Sequence, residues 1–332
     1  MAVAGRRLPP GAPGERVALV ALLGAVAAVA ASFVYLVSVI SAELADPAQA
    51  PEAAANHPSS ARTADTGRSA PGIAGSAGSP AGAIERALER ALSPEELATA
   101  GVAVVDLRGD LLGGINPDRA GYAASTFKLA ILYEAERRIS AGELRYTDAV
   151  PITDEALAED LGTFERVGQP AEDGTLLLGT LLEAMITFSD NTSAVALLRF
   201  LGAGAVDAAL LDLGIEGMSV NSRELPATPL ALAQLAAAIA RGEGLAPEQR
   251  DHALGLLAAQ EVRAGIPAGL EASDGIGYLG NKTGTWPGVT RDVAIVQVDG
   301  EWFAVAVMVD GDWNWELVQR IARAIHEGLT AR

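Results

Sequence analysis

Residues 292–309 read DVAIVQVDGEWFAVAVMV. Two apolar, β-branched runs, 292–298 and 302–309, flank the pair Asp299-Gly300. An Asp-Gly pair between two such runs is a strong short-range hairpin signal, because the tight turn that matches strand twist needs positive φ at both central positions. Downstream, Leu317, Ile321, Ile325 and Leu329 recur four apart with Val318 and Ala322 alongside, a helical stripe suited to packing on a sheet. Upstream, residues 276–285 read as a further strand. At the other end of the folded unit, residues 84–92 have helical spacing, 101–107 (GVAVVDL) read as a strand, and Gly109-Asp110 as a turn. Residues 125–139 return to helical spacing, with Leu129, Leu132 and Tyr133 on one side. The stretch 141–265 offers several helices and no strand. The expected fold is α/β (α+β): an antiparallel sheet flanked by helices and built from both chain ends, with an all-helical insert.

Before the folded unit the character of the chain changes. Arg6, Arg7 and Arg16 precede an uncharged apolar run, 17–40, and Glu43, Asp46 and Glu52 follow it. About 20 residues of helix cross a hydrocarbon core, and the flanking charge sets the N-terminus inside. Residues 42–82 are rich in Ala, Pro, Gly and Ser and lack an apolar period, so they read as a tether. The expected organisation is a cytoplasmic segment 1–16, a single-pass signal-anchor 17–41, a disordered linker 42–82 and a folded domain 83–332. That domain divides into an α/β part (83–140 and 266–332) and a helical part (141–265). This places the domain outside the cytoplasm, held by the N-terminal helix, or secreted if the segment is cleaved.

Composition narrows the chemistry. A net charge of −18 repels nucleic acid. With no cysteine there is no thiol nucleophile, disulfide or Cys-ligated metal. The three histidines, His57, His252 and His326, lack ligand-like neighbours, so neither a metal site nor a His-based triad is expected, and no cofactor is implied.

Of 24 Lys and Arg residues only two are lysine, Lys128 and Lys282. A chain this rich in Arg keeps an ammonium where a group must be able to lose its proton. Lys128 closes Ser125-Thr126-Phe127-Lys128 at the opening of an expected helix. Three residues apart, the two side chains share a face, close enough for the amine to take the hydroxyl proton. Lys282 opens Lys282-Thr283-Gly284 on an expected strand, where glycine permits close approach. Between them Ser189-Asp190-Asn191 precedes a helical run. Each motif alone has an ordinary reading as a helix start, an N-cap or a turn; their ordered combination is specific.

Ser-x-x-Lys, Ser-Asp-Asn and Lys-Thr-Gly in this order resemble the class A β-lactamase-like branch of the penicillin-recognising serine enzymes, over residues 84–332. The resemblance implies a β-lactamase/transpeptidase-like fold, with Ser125 as acylated nucleophile and Lys128 as its general base or proton shuttle. It implies that Ser189 passes the proton to the leaving nitrogen, Asn191 holds the substrate amide, and Lys282 with Thr283 holds the substrate carboxylate. Gly284 lies on the same strand, and the backbone N–H groups of Ser125 and Thr285 would form the oxyanion hole. Arg291 occupies the next strand, where class A enzymes keep an arginine for that carboxylate. For deacylation, Glu224 in the stretch 221–229 stands about where the family keeps a glutamate, but the loop closes early at Thr228-Pro229 and no asparagine follows. Trp286 and Pro287 add bulk beside the substrate strand. The implied partner is a small-molecule β-lactam or a cell-wall peptide. The implied activity is β-lactam hydrolysis, with a penicillin-binding-type D,D-carboxypeptidase or esterase as one alternative and a catalytically silent binding module on the same fold as another.

Overall fold

The computed structural model describes residues 80–331. The expected cytoplasmic segment and signal-anchor, and nearly all of the expected linker, lie outside the described residues. The chain begins with α1 (Pro80–Ala91), α2 (Pro94–Thr99), β1 (Gly101–Asp106), β2 (Leu111–Ile115) and β3 (Gly121–Tyr122). A 3-10 turn, Ala124–Phe127, leads into α3 (Lys128–Ser140). There follow β4 (Ala149–Pro151), α4 (Asp154–Ala158), β5 (Thr175–Leu177), α5 (Leu178–Thr187), α6 (Asn191–Leu201) and α7 (Ala203–Asp212). The remainder is β6 (Pro226–Ala227), α8 (Pro229–Arg241), α9 (Pro247–Ala258), α10 (Ile266–Leu270), β7 (Ile276–Trp286), β8 (Val289–Val298), β9 (Glu301–Asp310) and α11 (Trp315–Thr330).

Five strands form one antiparallel sheet in the order β2-β1-β9-β8-β7. The hairpin expected at Asp299-Gly300 is present: both residues have positive φ, 50° and 85°, and Val298 pairs with Glu301. Along β9, Phe303, Val305, Val307 and Val309 face one core while Ala304, Ala306 and Met308 face the other. Both faces are buried, which is why the run carries almost no polar residue. Helices α1 and α11 cover the first face, Ile84 and Leu88 meeting the stripe Leu317, Ile321, Ile325 and Leu329. They cross closely at Gly328, where a Cβ would come within 2.6 Å of Ile84 Cα.

The second face carries α8 and, beyond it, the helical part. Every residue of α3 from Lys128 to Glu136 is buried, so this helix forms the centre of the helical part, in contact with α5, α6, α7, α8 and α9. Sequence alone grouped it with the sheet, because chain order does not tell which layer surrounds a helix. The middle is also not wholly helical. Strands β4 and β5 pair there, and β3 pairs with β6 across the chain. These strands have two or three residues each, too short to register as a pattern. Strand β2, LLGGI, was unannounced because glycine weakens the strand signal; Gly114 is needed there, since a Cβ would meet the Val102 carbonyl oxygen at 2.1 Å.

Candidate active site

Ser125 lies in the 3-10 turn that opens α3. In such a turn residues three apart eclipse, so Ser125 and Lys128 project to the same side, as their spacing requires. The preceding residue, Ala124, has φ 46°, a left-handed conformation that costs a residue with a Cβ on the order of 1–3 kcal/mol and collects at functional sites. The turn is pinned from two sides. Thr126 Oγ1 donates to Ala123 O at 2.6 Å, and Ala123 N donates to Leu225 O at 3.0 Å. Gly284 on β7 completes the contact: a Cβ there would sit 3.0 Å from both Ala123 O and Ser125 N and 3.1 Å from Ala124 Cβ. Only glycine lets the strand come flush against the backbone amide of Ser125.

Both lysines are fully buried and converge on Ser189. Lys128 Nζ donates to Ser189 O (2.8 Å), Ser189 Oγ (3.2 Å) and Asn191 Oδ1 (2.7 Å). Lys282 Nζ donates to the same Ser189 Oγ at 2.9 Å and to Thr283 O at 2.9 Å. Burial lowers the Lys128 ammonium to about 7, against the opposing pull of the Asp190 charge. Lys282 is pushed well below the usual range by burial and then by Lys128, with Asp292 opposing. An amine that is neutral near neutral pH is able to accept a proton from a hydroxyl. Ser189 itself has φ 62°, a second left-handed residue at the site.

Neighbouring carboxylates hold this arrangement. Asp190 caps α6, accepting from Ser193 N at 2.6 Å and from Thr163 Oγ1 at 2.7 Å. Asp292, fully buried on β8, accepts from Ile266 N (2.7 Å) and Asn281 Nδ2 (2.9 Å), and burial raises it to about 7.

A cavity of about 220 Å³ opens beside these groups. Ser125, Ser189, Asn191 and Thr285 line it, as the sequence placed them, together with Trp286. Lys128 and Lys282 stand behind Ser189. Thr283 and Gly284 are buried and outside the lining. Arg291 is elsewhere than expected: its guanidinium donates to the carbonyls of Tyr122 (3.1 Å), Thr290 (3.2 Å) and Val309, and it is 4% exposed. It ties β8 to the segment before Ser125, and burial lowers it to about 10. Glu224 is likewise off the cleft. It is exposed and accepts from Ser222 Oγ at 2.8 Å. The short loop turns the next side chain, Leu225, into the core at 2% exposure with φ 41°, and that inward step sends Glu224 outward.

The sequence did not single out Tyr122 or Glu159, yet both line the cavity. Tyr122 meets Trp286 edge-on at 6.4 Å, and its phenol is pushed up to about 12 by burial and then by the Glu159 charge. No signal marked Glu159, one of 42 acidic residues, because only the folded loop brings it to the cleft. His252 and His326 serve elsewhere, His252 Nδ1 lying 2.6 Å from Glu136 Oε1 and His326 Nε2 lying 2.9 Å from Asp274 O.

A buried-amine, two-serine site on a sheet of this topology defines a penicillin-recognising serine hydrolase fold. The family model for the β-lactamase enzyme family matches residues 83–329, and the chain belongs to that family. It is similar to β-lactamase CTX-M-6 of Salmonella typhimurium, 31% identical over 157 residues, which are 43% of this chain and 53% of that protein. The match thus spans about half the length of that curated relative. Among solved structures it resembles PBP-A (24% identity, TM-score 0.66, 76% of this chain and 97% of the other), a likeness of fold. It also resembles an ancestral class A β-lactamase (25% identity, TM-score 0.63, 74% of this chain and 99% of the other).

Proposed function

We propose that the chain is a serine hydrolase that takes an acyl group from β-lactams onto Ser125 and releases it to water. The observation that carries this reading is the convergence of both lysine amines on Ser189 Oγ, beside a cavity that Ser125 lines. Neutral Lys128 takes the Ser125 hydroxyl proton, and Oγ attacks the lactam carbonyl. The developing oxyanion is met by the backbone N–H groups of Ser125 and Thr285, donors whose removal typically costs a few kcal/mol of transition-state stabilisation. Ser189, within hydrogen-bond distance of both amines, delivers its proton to the departing nitrogen and receives in its place the proton that Lys128 took from Ser125. Asn191 faces the acyl amide, and Lys282 supplies the field that attracts the substrate carboxylate.

A second reading, a penicillin-binding-type D,D-carboxypeptidase or esterase acting on cell-wall peptides, is favoured by the exposed position of Glu224, away from the cleft. Both readings share the acyl-enzyme. Intact-mass spectrometry of residues 83–332 mixed with a chromogenic cephalosporin tests them together. Turnover with colour, lost in Ser125→Ala, supports the lactamase; a stoichiometric adduct that persists supports the peptidase. Acylation that survives in Ser125→Ala refutes both. We further propose that residues 17–40 anchor the chain with its catalytic unit outside the cytoplasm, a topology that protease protection of the full chain in sealed vesicles tests. Among the described residues no single helix is long and apolar enough to cross a membrane.

A further inference from the structure

We propose that Glu159, on the loop after α4, is the general base that activates water for release of the acyl group from Ser125. The inference rests on the acyl-enzyme reading above and assigns the step which that reading leaves without a residue. Among the described residues Glu159 is the one carboxylate that lines the cavity containing Ser125, Ser189 and Asn191. The other acids nearby are not part of that lining. Asp190 caps α6 and holds Thr163, Asp292 accepts from Ile266 N and Asn281, and Glu224 lies outside the cleft against Ser222.

Glu159 is only 2% exposed although it borders a cleft. Removing a carboxylate from water is expensive, and such sites are where acid–base groups are kept. Its charge reaches Tyr122 on the same cavity wall. At Lys128 the opposing charge is that of Asp190, and at Lys282 the charges are those of Lys128 and Asp292.

The loop that carries it is fastened at every turn. Asp160 Oδ1 accepts from the N–H groups of Gly162, Thr163 and Phe164 at 2.8, 2.9 and 3.0 Å. Thr163 Oγ1 ties the loop to the residue after Ser189. Arg166 pairs with Glu261 at 2.6 Å and covers the Phe188 ring at 4.0 Å. A base must be held to within about 0.5 Å of its working position, and a loop tied this closely to the Ser-Asp-Asn turn meets that need.

In the step itself, the water oxygen forms a bond to the acyl carbon as Glu159 takes one water proton. The tetrahedral intermediate collapses with cleavage of the bond between Ser125 Oγ and that carbon, and the proton held on Glu159 is relayed through Lys128 to Oγ. Glu159 is again a carboxylate, Lys128 a neutral amine and Ser125 a hydroxyl, so one water is consumed and one carboxylic acid released.

The test is pre-steady-state mass spectrometry of the folded unit, residues 83–332, with a chromogenic cephalosporin and with an acyl-D-alanine thiolester. Glu159→Gln is expected to acylate at the wild-type rate and to release the acyl group about 100- to 10,000-fold more slowly, the usual contribution of a general base. Added hydroxylamine, a nucleophile that does not depend on that base, is expected to restore release, and Glu159→Asp to recover part of it. A merely structural role predicts no such rescue. Wild-type release in Glu159→Gln overturns the proposal. So does a variant that fails to acylate, and so does a wild-type acyl-enzyme that persists with both donors. If the wild type is not acylated at all, it is the acyl-enzyme reading that fails.

Discussion

Asp190→Asn isolates the charge that keeps Lys128 protonated. Burial draws the Lys128 amine down to about 7, and the Asp190 carboxylate works against that shift. In the proposed mechanism acylation needs the neutral amine, so its rate should rise with pH and level off above about 7. At pH 5 the neutral fraction is about 1%, a loss of about 100-fold relative to the plateau, since each unit below the midpoint costs tenfold. Asparagine keeps the cap, because its side-chain oxygen still accepts from Ser193 N, and its Nδ2 can donate to Thr163 Oγ1 in place of the bond that Asp190 accepts. Without the negative charge the ammonium is less favoured, so the midpoint moves to lower pH while the plateau stays in place. At pH 5 the variant is then faster than the wild type, an unusual gain for a substitution beside a nucleophile. The assay is stopped-flow acylation by a chromogenic cephalosporin under second-order conditions between pH 4.5 and 9, which reports groups in the free enzyme. A flat wild-type profile, or a variant midpoint displaced upward, would falsify the assignment of Lys128 as base.

Two further predictions follow from backbone contact and from burial. Gly284→Ala sets a Cβ 3.0 Å from Ser125 N and Ala123 O, and the displaced amide should cost about 10- to 100-fold in acylation with little loss of thermal stability; an unchanged rate would show that the strand has no part in placing that amide. Asp292 rises from 3.8 to about 7 on burial, so between those values the folded state keeps a proton that the unfolded chain has released. The stability contributed by that proton is complete below about pH 4 and lost as pH rises through 7. Asp292→Asn removes this dependence, so the wild type's advantage over the variant in urea unfolding should be larger at pH 4.5 than at pH 7.5; a pH-independent difference would refute the burial argument.

The sequence by itself determined four of the five strands of the sheet, the helices α1 and α11 that cover one face, and the motifs that carry the candidate site. Continuous β-branched runs and period-4 apolar spacing are local properties, so β7 to β9 and α11 were legible before folding, as was the turn at Asp299-Gly300. The scarcity of lysine marked Lys128 and Lys282 because the chain uses arginine for other cationic positions. What only tertiary structure decided depends on which groups meet across long chain separations. That α3 is the hub of the helical part follows from the five helices around it, and no single window of sequence records them. The pKa of about 7 at Lys128 arises from complete burial beneath Ser189, 61 residues away in the chain. Arg291 bonds to the Tyr122 carbonyl 169 residues away, and so faces the backbone rather than the cleft. The same limit governs the carboxylates. Glu224 and Glu159 are equivalent as letters, and only the inward turn of Leu225 and the fastening of residues 160–166 leave one in solvent and bring the other to the cavity.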